Sequence, residues 1–434
     1  MFFESISVSN FKSFDEIDII LDKFNILIGP NASGKSNFIN IFRYLRDISR
    51  HGLDNAISLQ GDKEYICNAM RNDPLLKMSY SLIPPNIGRL LPYKEQLLGL
   101  KLAKIQNDFA IRFKKNKTFE IAYDKCQIDF MLHSFGPQGK INKLNTAKPL
   151  GKGNIKIESE KGKININHQF ENRNSKAHSL FPGILDNVIP EFVRNNKFTK
   201  NRLLLETPLI TLFIIPVGNI FENLAIYDFN SQLMKNAVPI AAKKELETDG
   251  KNIALVLKNI LANPSSRQKF LNYIKDLLPY IKDIKTSKLA DKSLLFSVEE
   301  IYNTHKFFPS SFLSDGTVYL TAVLLALFFD TEKDDDDDDL SMIIFEEVGR
   351  NIHPSLISKL VNLFKEASGH RQIIVSTHNP QLVKYADPED LLLVSRNEKG
   401  YSAISRPVEK SDVKIFLENE IGIDELFAQD LLGV

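Results

Sequence analysis

The feature that most constrains this chain is the sequence Gly-Pro-Asn-Ala-Ser-Gly-Lys-Ser at residues 29–36, which fits the pattern G-x-x-x-x-G-K-S. The apolar run at residues 24–28 precedes it and suits a buried strand. Residues 37–45 follow with apolar side chains at helical spacing. Strand, glycine-rich loop and helix, in this order, form the context in which the pattern binds phosphates. The glycines admit backbone N–H groups, and the helix N-terminus adds positive potential.

The positions of this loop have distinct predicted roles toward a nucleotide. Lys35 is expected to reach the β- and γ-phosphates, and the hydroxyl of Ser36 is expected to hold Mg²⁺. The other loop positions and the next residue are expected to surround the phosphates: Gly29, Pro30, Asn31, Ala32, Ser33, Gly34 and Asn37. The alternative, a chance glycine-rich turn before a helix, is disfavoured because the flanking pattern also matches.

Two further segments deliver chemically active side chains from the ends of predicted strands. Residues 342–345 are apolar and lead into Glu346 and Glu347. Glu346 is predicted to hold the Mg²⁺ shell, and Glu347 to polarise a water molecule in line with the γ-phosphate. Residues 372–377 form a similar strand that leads to His378, which can sense the γ-phosphate and stabilise transition-state charge. The sequence therefore predicts ATP hydrolysis, with Lys35, Glu347 and His378 as the catalytic residues.

Length, charge and cysteine content limit the class of protein. A chain of 434 residues is long for one core, so two lobes are expected. The net charge of +1 gives no global field for nucleic acid or membrane, although residues 101–200 carry 19 Lys and Arg against 9 Asp and Glu. This local excess could follow a nucleic-acid backbone, or it could be a solvated lysine-rich surface. Two cysteines, no signal peptide and no apolar run of membrane length predict a cytoplasmic protein.

The remaining pattern predicts an α/β fold whose nucleotide-binding lobe is built from both ends of the chain. Gln60–Gly61 is a candidate glutamine loop, with a surface turn as the favoured alternative, and the acidic run 334–339 is expected to be a mobile surface loop. The lobe is assigned to residues 1–170 and 301–434, with a mainly helical lid at 171–300. Strands are expected at 3–9, 16–21, 78–83, 119–123, 153–158, 162–167, 282–286, 293–299 and 391–394; helices are expected within 86–117 and at 209–223, 252–261, 268–280, 317–329, 355 onward and 412–432.

Together these motifs resemble the RecF/SMC-like branch of ABC-type ATPases, and more narrowly the compact bacterial ATPases allied to OLD (overcoming lysogenisation defect) and Septu-type defence ATPases. Residues 6–14 are similar to the N-terminal strand and turn of the family, which places Lys12 near the phosphates. Leu-Ser-Asp-Gly-Thr at 313–317 is similar to the signature sequence that caps the γ-phosphate from the opposite subunit. The resemblance therefore implies that Ser314, Asp315 and Gly316 bind ATP across a dimer.

The resemblance also implies the architecture and the partners. It implies a P-loop ATPase fold with a β-rich and then helical insertion between the phosphate loop and the signature. It further implies a homodimer or higher homo-oligomer that controls a separately encoded nuclease or toxin in anti-phage defence. The chain departs from the family at Glu346, where Asp is usual, and at Val348–Gly349, which precede a D-loop-like segment at 350–354.

Two other functions fit the same motifs. One is a DNA-repair or DNA-clamping ATPase in the manner of RecF, which the basic excess favours. The other is a nucleotide-sensing scaffold that hydrolyses ATP slowly and holds a partner toxin inactive. The presence of Glu347 disfavours this second function, because a scaffold needs no water-activating acid.

Overall fold

The computed structural model describes residues 2–84, 88–93, 96–115, 118–137, 148–160, 162–171, 201–206, 221, 224–241, 243–303, 305–329, 342–350 and 352–409. The strands within these ranges are β1 (Phe2–Phe11), β2 (Phe14–Ile20), β3 (Phe24–Ile28), β4 (Leu75–Ile83), β5 (Gly88–Tyr93), β6 (Gln96–Phe113), β7 (Phe119–Pro137), β8 (Lys148–Glu160), β9 (Lys163–Phe170), β10 (Ala225–Tyr227), β11 (Val238–Pro239), β12 (Ile281–Lys288), β13 (Ser293–Glu300), β14 (Phe307–Pro309), β15 (Met342–Phe345), β16 (Gln372–Thr377), β17 (Leu391–Arg396) and β18 (Ser402–Ser405).

The α-helices of the described residues are α1 (Lys35–His51), α2 (Leu53–Leu59), α3 (Lys63–Ile66), α4 (Ser231–Met234), α5 (Ile253–Ala262), α6 (Pro264–Leu277), α7 (Asp315–Phe328), α8 (Pro354–Ser368) and α9 (Pro380–Tyr385). None of them is long and apolar enough to cross a membrane.

A five-stranded parallel core, in the order β10-β15-β16-β3-β17, forms one part of a 14-stranded sheet. All five residues of β3 are buried, as expected for a central parallel strand that is covered on both faces. Ile26 and Ile28 pack into one hydrophobic cluster, while Leu27 between them packs into the other. This alternation places α1 on one face of the core and α7 and α8 on the opposite face.

The rest of the large sheet is mostly antiparallel. From β17 the order continues β18-β2-β1-β4-β6-β7-β8-β9, and β5 pairs with β6. β1 and β2 form the predicted hairpin, with Phe11 opposite Phe14, and β8 and β9 form the second one. A separate four-stranded sheet contains β11, β12, β13 and β14. The predicted α/β fold class is therefore confirmed, including the β-rich segment that follows the phosphate loop.

One predicted element is wrong, and several lie outside the described residues. The basic helix expected within 86–117 is instead a pair of strands, because the apolar side chains spaced along residues 98–113 are buried in one hydrophobic cluster while the backbone pairs with β4 and β7. Gln60 and Gly61 form the turn after α2. Three predicted segments lie outside the described residues: the helix at 209–223, of which only Phe221 is described, the acidic run 334–339, and the helix at 412–432. The division of the chain into domains at 1–170, 171–300 and 301–434 stays a prediction. β10, from the range 171–300, pairs with β15, from the range 301–434.

Candidate functional site

The ends of three adjacent parallel strands bring the predicted site together. β15, β16 and β3 lie side by side, with Phe345 opposite Val375 and Thr377 opposite Ile28. Parallel strands have their carboxyl ends at the same edge of a sheet, where ligands commonly bind. The residues that follow these strands therefore meet at one edge: Glu346 and Glu347, His378, and the loop that begins at Gly29. About 350 positions separate Gly29 from His378 in the sequence.

Two positions of the phosphate loop require glycine for lack of space. A Cβ atom at Gly29 would lie 2.1 Å from the backbone oxygen of Val394. A Cβ atom at Gly34 would lie 2.2 Å from Oγ of Ser402, and Gly34 also adopts φ of +121°, which L side chains rarely adopt. The two glycines thus let β17 and β18 approach the loop directly.

Lys35 lies under the loop. Its side chain is buried at 6% exposure, and Nζ donates to the carbonyl oxygens of Gly29 at 2.8 Å and Pro30 at 3.0 Å. Burial lowers the pKa of Lys35, while the negative charge of Glu347 acts in the opposite direction. The ammonium group therefore lies inside the curve of the loop and within electrostatic reach of the second carboxylate of the pair.

A small hydroxyl network fixes the loop from below. Oγ of Ser402 donates to the carbonyl oxygen of Ser33 at 2.5 Å and accepts from the hydroxyl of Ser13 at 2.7 Å. Nδ2 of Asn37 donates to the same Ser13 oxygen at 2.7 Å. The loop itself faces solvent at Pro30, Asn31, Ala32 and Ser36, whereas Gly29, Ser33 and Gly34 are buried. The exposed stretch is the part that a phosphate can reach.

Lys12 stands in the tight turn between β1 and β2. Asn10 and Lys12 both have left-handed backbones, at φ of 64° and 48°. Nδ2 of Asn10 donates to the carbonyl of Asp73 at 2.7 Å, which anchors the turn. Burial lowers the pKa of Lys12, and the nearby Arg43 lowers it further. Lys12 is therefore held close to a second cation on the α1 side of the site.

Arg43 holds the first carboxylate of the acidic pair. Its guanidinium lies 2.6 Å from Oε1 of Glu346, whose side chain is 11% exposed. Burial raises the pKa of Glu346, an effect that Arg43 opposes and the charges of Asp228 and Glu347 reinforce. Three carboxylates thus gather at the ends of β10 and β15, and Arg43 is the cation paired with one of them.

Glu347 and His378 are hydrogen-bonded to each other at the same edge. Nδ1 of His378 lies 2.6 Å from Oε2 of Glu347, and both side chains are partly exposed, at 51% and 34%. The backbone of Glu347 is left-handed at φ of 53°, and its N–H donates to Oγ of Ser376 at 3.1 Å. A non-glycine residue in this conformation is strained, and such strain is often found at functional sites. The turn aims the Glu347 carboxylate away from the strand and toward His378.

The segment after Glu347 is held by the neighbouring strand end. Oγ1 of Thr377 donates to the carbonyl of Val348 at 2.8 Å, and Nδ2 of Asn379 donates to that of Gly349 at 3.2 Å. His353 caps α8. Of the D-loop-like residues 350–354, Asn351 lies outside the described residues.

The signature segment forms a different surface. Ser314 is exposed and caps the N-terminus of α7, where its Oγ accepts from the N–H of Thr317 at 3.1 Å. Asp315 pairs with Lys235, and Gly316 is half-buried in the first turn of α7. Within the described part of the chain, the side chains of Ser314 and Asp315 bond with Thr317 and Lys235, and none of these bonds joins them to the loop at 29–36.

The oxygen donors at the edge suit Mg²⁺ bound together with a nucleotide. Within the described ranges, no group of three or more His, Cys, Asp or Glu side chains could hold a metal ion by itself. Mg²⁺ usually takes only one or two carboxylates and completes its shell with phosphates and water. The Glu346 carboxylate and the exposed Ser36 hydroxyl are oxygen donors of this kind.

Sequence reasoning missed several residues that shape the site. Arg43 had a usable signal, since it follows Ser36 and Asn40 at i+7 and i+3 and so shares their helix face. No comparable sequence signal indicates the contacts of Ser13, Ser402 and Lys235. Their partners are distant in sequence, and only the folded chain brings them together.

Comparison with known proteins identifies related sequences and structures. A family model described as "AAA domain, putative AbiEii toxin, Type IV TA system" matches residues 24–65 and 144–384. A segment of 47 residues is 40% identical to the Endonuclease GajA of Bacillus cereus (strain VD045), and it covers 11% of this chain and 8% of that protein.

Among solved structures, an SmcHead bound to the C-winged helix domain of ScpA is similar over 93% of this chain and 98% of its own, with a TM-score of 0.48. The SMC head domain from Thermotoga maritima is similar over 94% and 99%, with a TM-score of 0.43. Sequence identity is 14% in both.

Proposed function

This chain belongs to the family described as "AAA domain, putative AbiEii toxin, Type IV TA system", and from that membership and the site geometry we propose that it binds Mg–ATP and hydrolyses it. The observation that carries the proposal is the meeting of three elements at one sheet edge. These are the loop around Lys35, the acidic pair, and the histidine paired with Glu347.

The loop at 29–36 binds the phosphates in this proposal. Lys35 already lies beneath the loop, where its Nζ can exchange the carbonyl oxygens of Gly29 and Pro30 for phosphate oxygens. Backbone N–H groups at the start of α1 add favourable dipoles. Lys12 supplies a second positive charge from the β1–β2 turn, on the same side as Arg43.

The pair of Glu347 and His378 activates water. His378 occupies Oε2 of Glu347, which orients the carboxylate and leaves Oε1 to accept a proton from a water molecule near the γ-phosphate. The second ring nitrogen of His378 is then available for the γ-phosphate itself. Mg²⁺ would be held by Ser36 and Glu346, and it would neutralise charge on the phosphates.

A homodimer completes the site in this proposal. Ser314 faces solvent rather than the loop of its own chain, so a second copy would have to bring it to the γ-phosphate. Phe312, two residues earlier, is 80% exposed, and such an apolar side chain beside the signature suits a protein contact. ATP would then join two surfaces that associate weakly without it.

For the biological role, we place this ATPase in the cytoplasm as the regulatory subunit of an anti-phage defence system with a separately encoded nuclease or toxin. Support comes from the motif resemblance to defence ATPases, from the toxin named in the family description, and from the local similarity to an endonuclease. Co-purification with the product of the adjacent gene, with and without Mg–ATP, tests this role. Absence of any complex in both conditions would contradict it.

Nucleotide binding is tested with Lys35→Ala and the matched control Lys23→Ala, whose lysine is exposed just before β3. Fluorescent-ATP binding and phosphate release are measured on both. Lys35→Ala should lose binding by roughly a hundredfold or more, because a buried cation that contacts two phosphates is removed. Lys23→Ala should behave as wild type, and unchanged binding in Lys35→Ala would contradict the proposal.

A further inference from the structure

The signature segment at 313–317 carries the negatively charged side chain of Asp315. In the proposed function, the negatively charged γ-phosphate of ATP binds at this same segment. Asp315 is the first residue of α7, directly after the exposed Ser314. A carboxylate at a helix N-terminus favours the helix dipole, but it would repel a γ-phosphate presented to the same helix end. A signature with this sequence therefore needs a cation that neutralises Asp315.

Lys235 is that cation. Its ammonium group is paired with Oδ1 of Asp315, and the two side chains are only 17% and 29% exposed. Charges that are partly shielded from water interact more strongly than exposed pairs, so this ion pair is more than a surface contact. Among the described ion pairs, it is the one that reaches Asp315.

The backbone at Lys235 is fixed to the turn that directly precedes the signature segment. Oγ of Ser310 is buried and donates to the carbonyl oxygen of Lys235 at 2.9 Å. Lys235 directly follows the short helix α4, which Asn230 caps at its start by accepting from the N–H groups of Gln232 and Leu233. The ammonium group is thus delivered by a segment tied at both ends and not by a free loop.

A second contact holds the hydroxyl side of the segment. Oγ1 of Thr317 bonds with Oγ of Ser314 at 2.7 Å and with the phenol of Tyr280 at 2.7 Å. Ser314 is therefore oriented by Thr317 of α7, which Tyr280 supports from the turn before β12, while Asp315 is oriented by Lys235, the residue after α4. The two neighbours that would face the γ-phosphate have separate supports.

We propose that Lys235 is a positioning residue that neutralises Asp315 and so allows the segment 313–317 to receive the γ-phosphate of an ATP held by a second copy of this chain. The inference rests on the proposed ATP-bridged dimer. Lys235 is assigned no contact with ATP in the same subunit, so its removal should weaken dimerisation without weakening the binding of ATP to the loop at 29–36.

The test uses full-length protein carrying Glu347→Gln, to limit turnover, with Mg–ATP at saturation and mass measured by light scattering over a protein dilution series. Adding Lys235→Ala should weaken dimerisation by about tenfold to a hundredfold, as expected for an unpaired charge at an interface. Adding Asp315→Asn as well should restore most of it, because the unpaired carboxylate is gone. Lys235→Arg should retain it.

The matched control is Lys251→Ala, which removes the lysine of an exposed pair with Glu247. It should dimerise like the parent, and at protein concentrations too low for dimerisation all variants should bind fluorescent ATP equally. Unchanged dimerisation in Lys235→Ala would overturn the inference. Weak dimerisation that Asp315→Asn fails to restore would also overturn it, since Lys235 would then act only by supporting the fold. If the Glu347→Gln parent itself stays monomeric with Mg–ATP, the proposed dimer fails, and the inference fails with it.

Discussion

A buried carboxylate on β7 makes the stability of this protein depend on pH. Asp124 is 1% exposed; its Oδ2 accepts from the backbone N–H of Leu204, and Nδ2 of Asn107 lies 3.4 Å from Oδ1. Burial raises the pKa of Asp124 to about 7, from an ordinary 3.8, against the opposing effect of these hydrogen bonds. The folded protein therefore holds a proton that the unfolded chain releases at lower pH.

The direction and the size of this pH dependence follow from proton linkage. Between pH 4 and 7 the folded state binds more protons at Asp124 than the unfolded state does, so the free energy of unfolding falls as pH rises. The pKa of Asp124 is raised by about three units, and each unit is worth about 1.4 kcal/mol. The free energy of unfolding should therefore be lower by roughly 4 kcal/mol near pH 7 than at low pH. Asp124→Asn keeps an oxygen that can accept from Leu204 but cannot ionise, so the variant should avoid this loss.

The assay is urea unfolding of wild type and Asp124→Asn from pH 4.5 to 8. The variant should gain stability relative to wild type as pH rises, by up to about 4 kcal/mol near neutrality. Asp129→Asn, which removes a partly exposed carboxylate from the same strand, is the matched substitution for comparison. A constant difference between Asp124→Asn and wild type across the range would refute the reasoning.

Three changes at the site have separate expected outcomes. Arg43→Ala removes the cation that opposes the effect of burial on the pKa of Glu346, so this carboxyl should hold its proton more readily. The Mg²⁺ concentration for half-maximal phosphate release should therefore rise by about tenfold, and no change would show that the pair is dispensable. Gly34→Ala should weaken fluorescent-ATP binding by at least about tenfold, because its Cβ would lie 2.2 Å from Oγ of Ser402; wild-type affinity would contradict the packing argument. His378→Ala should lower turnover by roughly tenfold to a hundredfold while ATP binding is kept, and lost binding would assign His378 to nucleotide capture.

The sequence predicted the parts of the fold that depend on local pattern. The strand 24–28, the helix after Lys35 and the acidic strand end at Glu346 were predicted because apolar periodicity and fixed spacing reside in short stretches. The strand 96–113 was misread in part because its lysines and short apolar runs resemble a basic helix, and only pairing with β4 and β7 decides its conformation.

The site was predicted in its residues but not in its pairings. That Glu347 contacts His378, that Arg43 contacts Glu346, and that Lys235 contacts Asp315 all depend on long-range packing across 31, 303 and 80 positions. No periodicity in one sequence specifies such contacts. The spacing of Arg43 on the Ser36 face of α1 was the single local signal, and it indicated a shared face without indicating the partner.

The most direct test of the account is phosphate release from Mg–ATP by the Glu347→Gln protein, with nucleotide binding measured on the same sample. Glu160→Gln, an exposed carboxylate at the end of β8, is the matched control. If Glu347 is the water-activating base held by His378, turnover should fall by about a hundredfold or more while binding stays as in wild type. Turnover equal to that of wild type would remove Glu347 from the mechanism and contradict the proposed hydrolytic site.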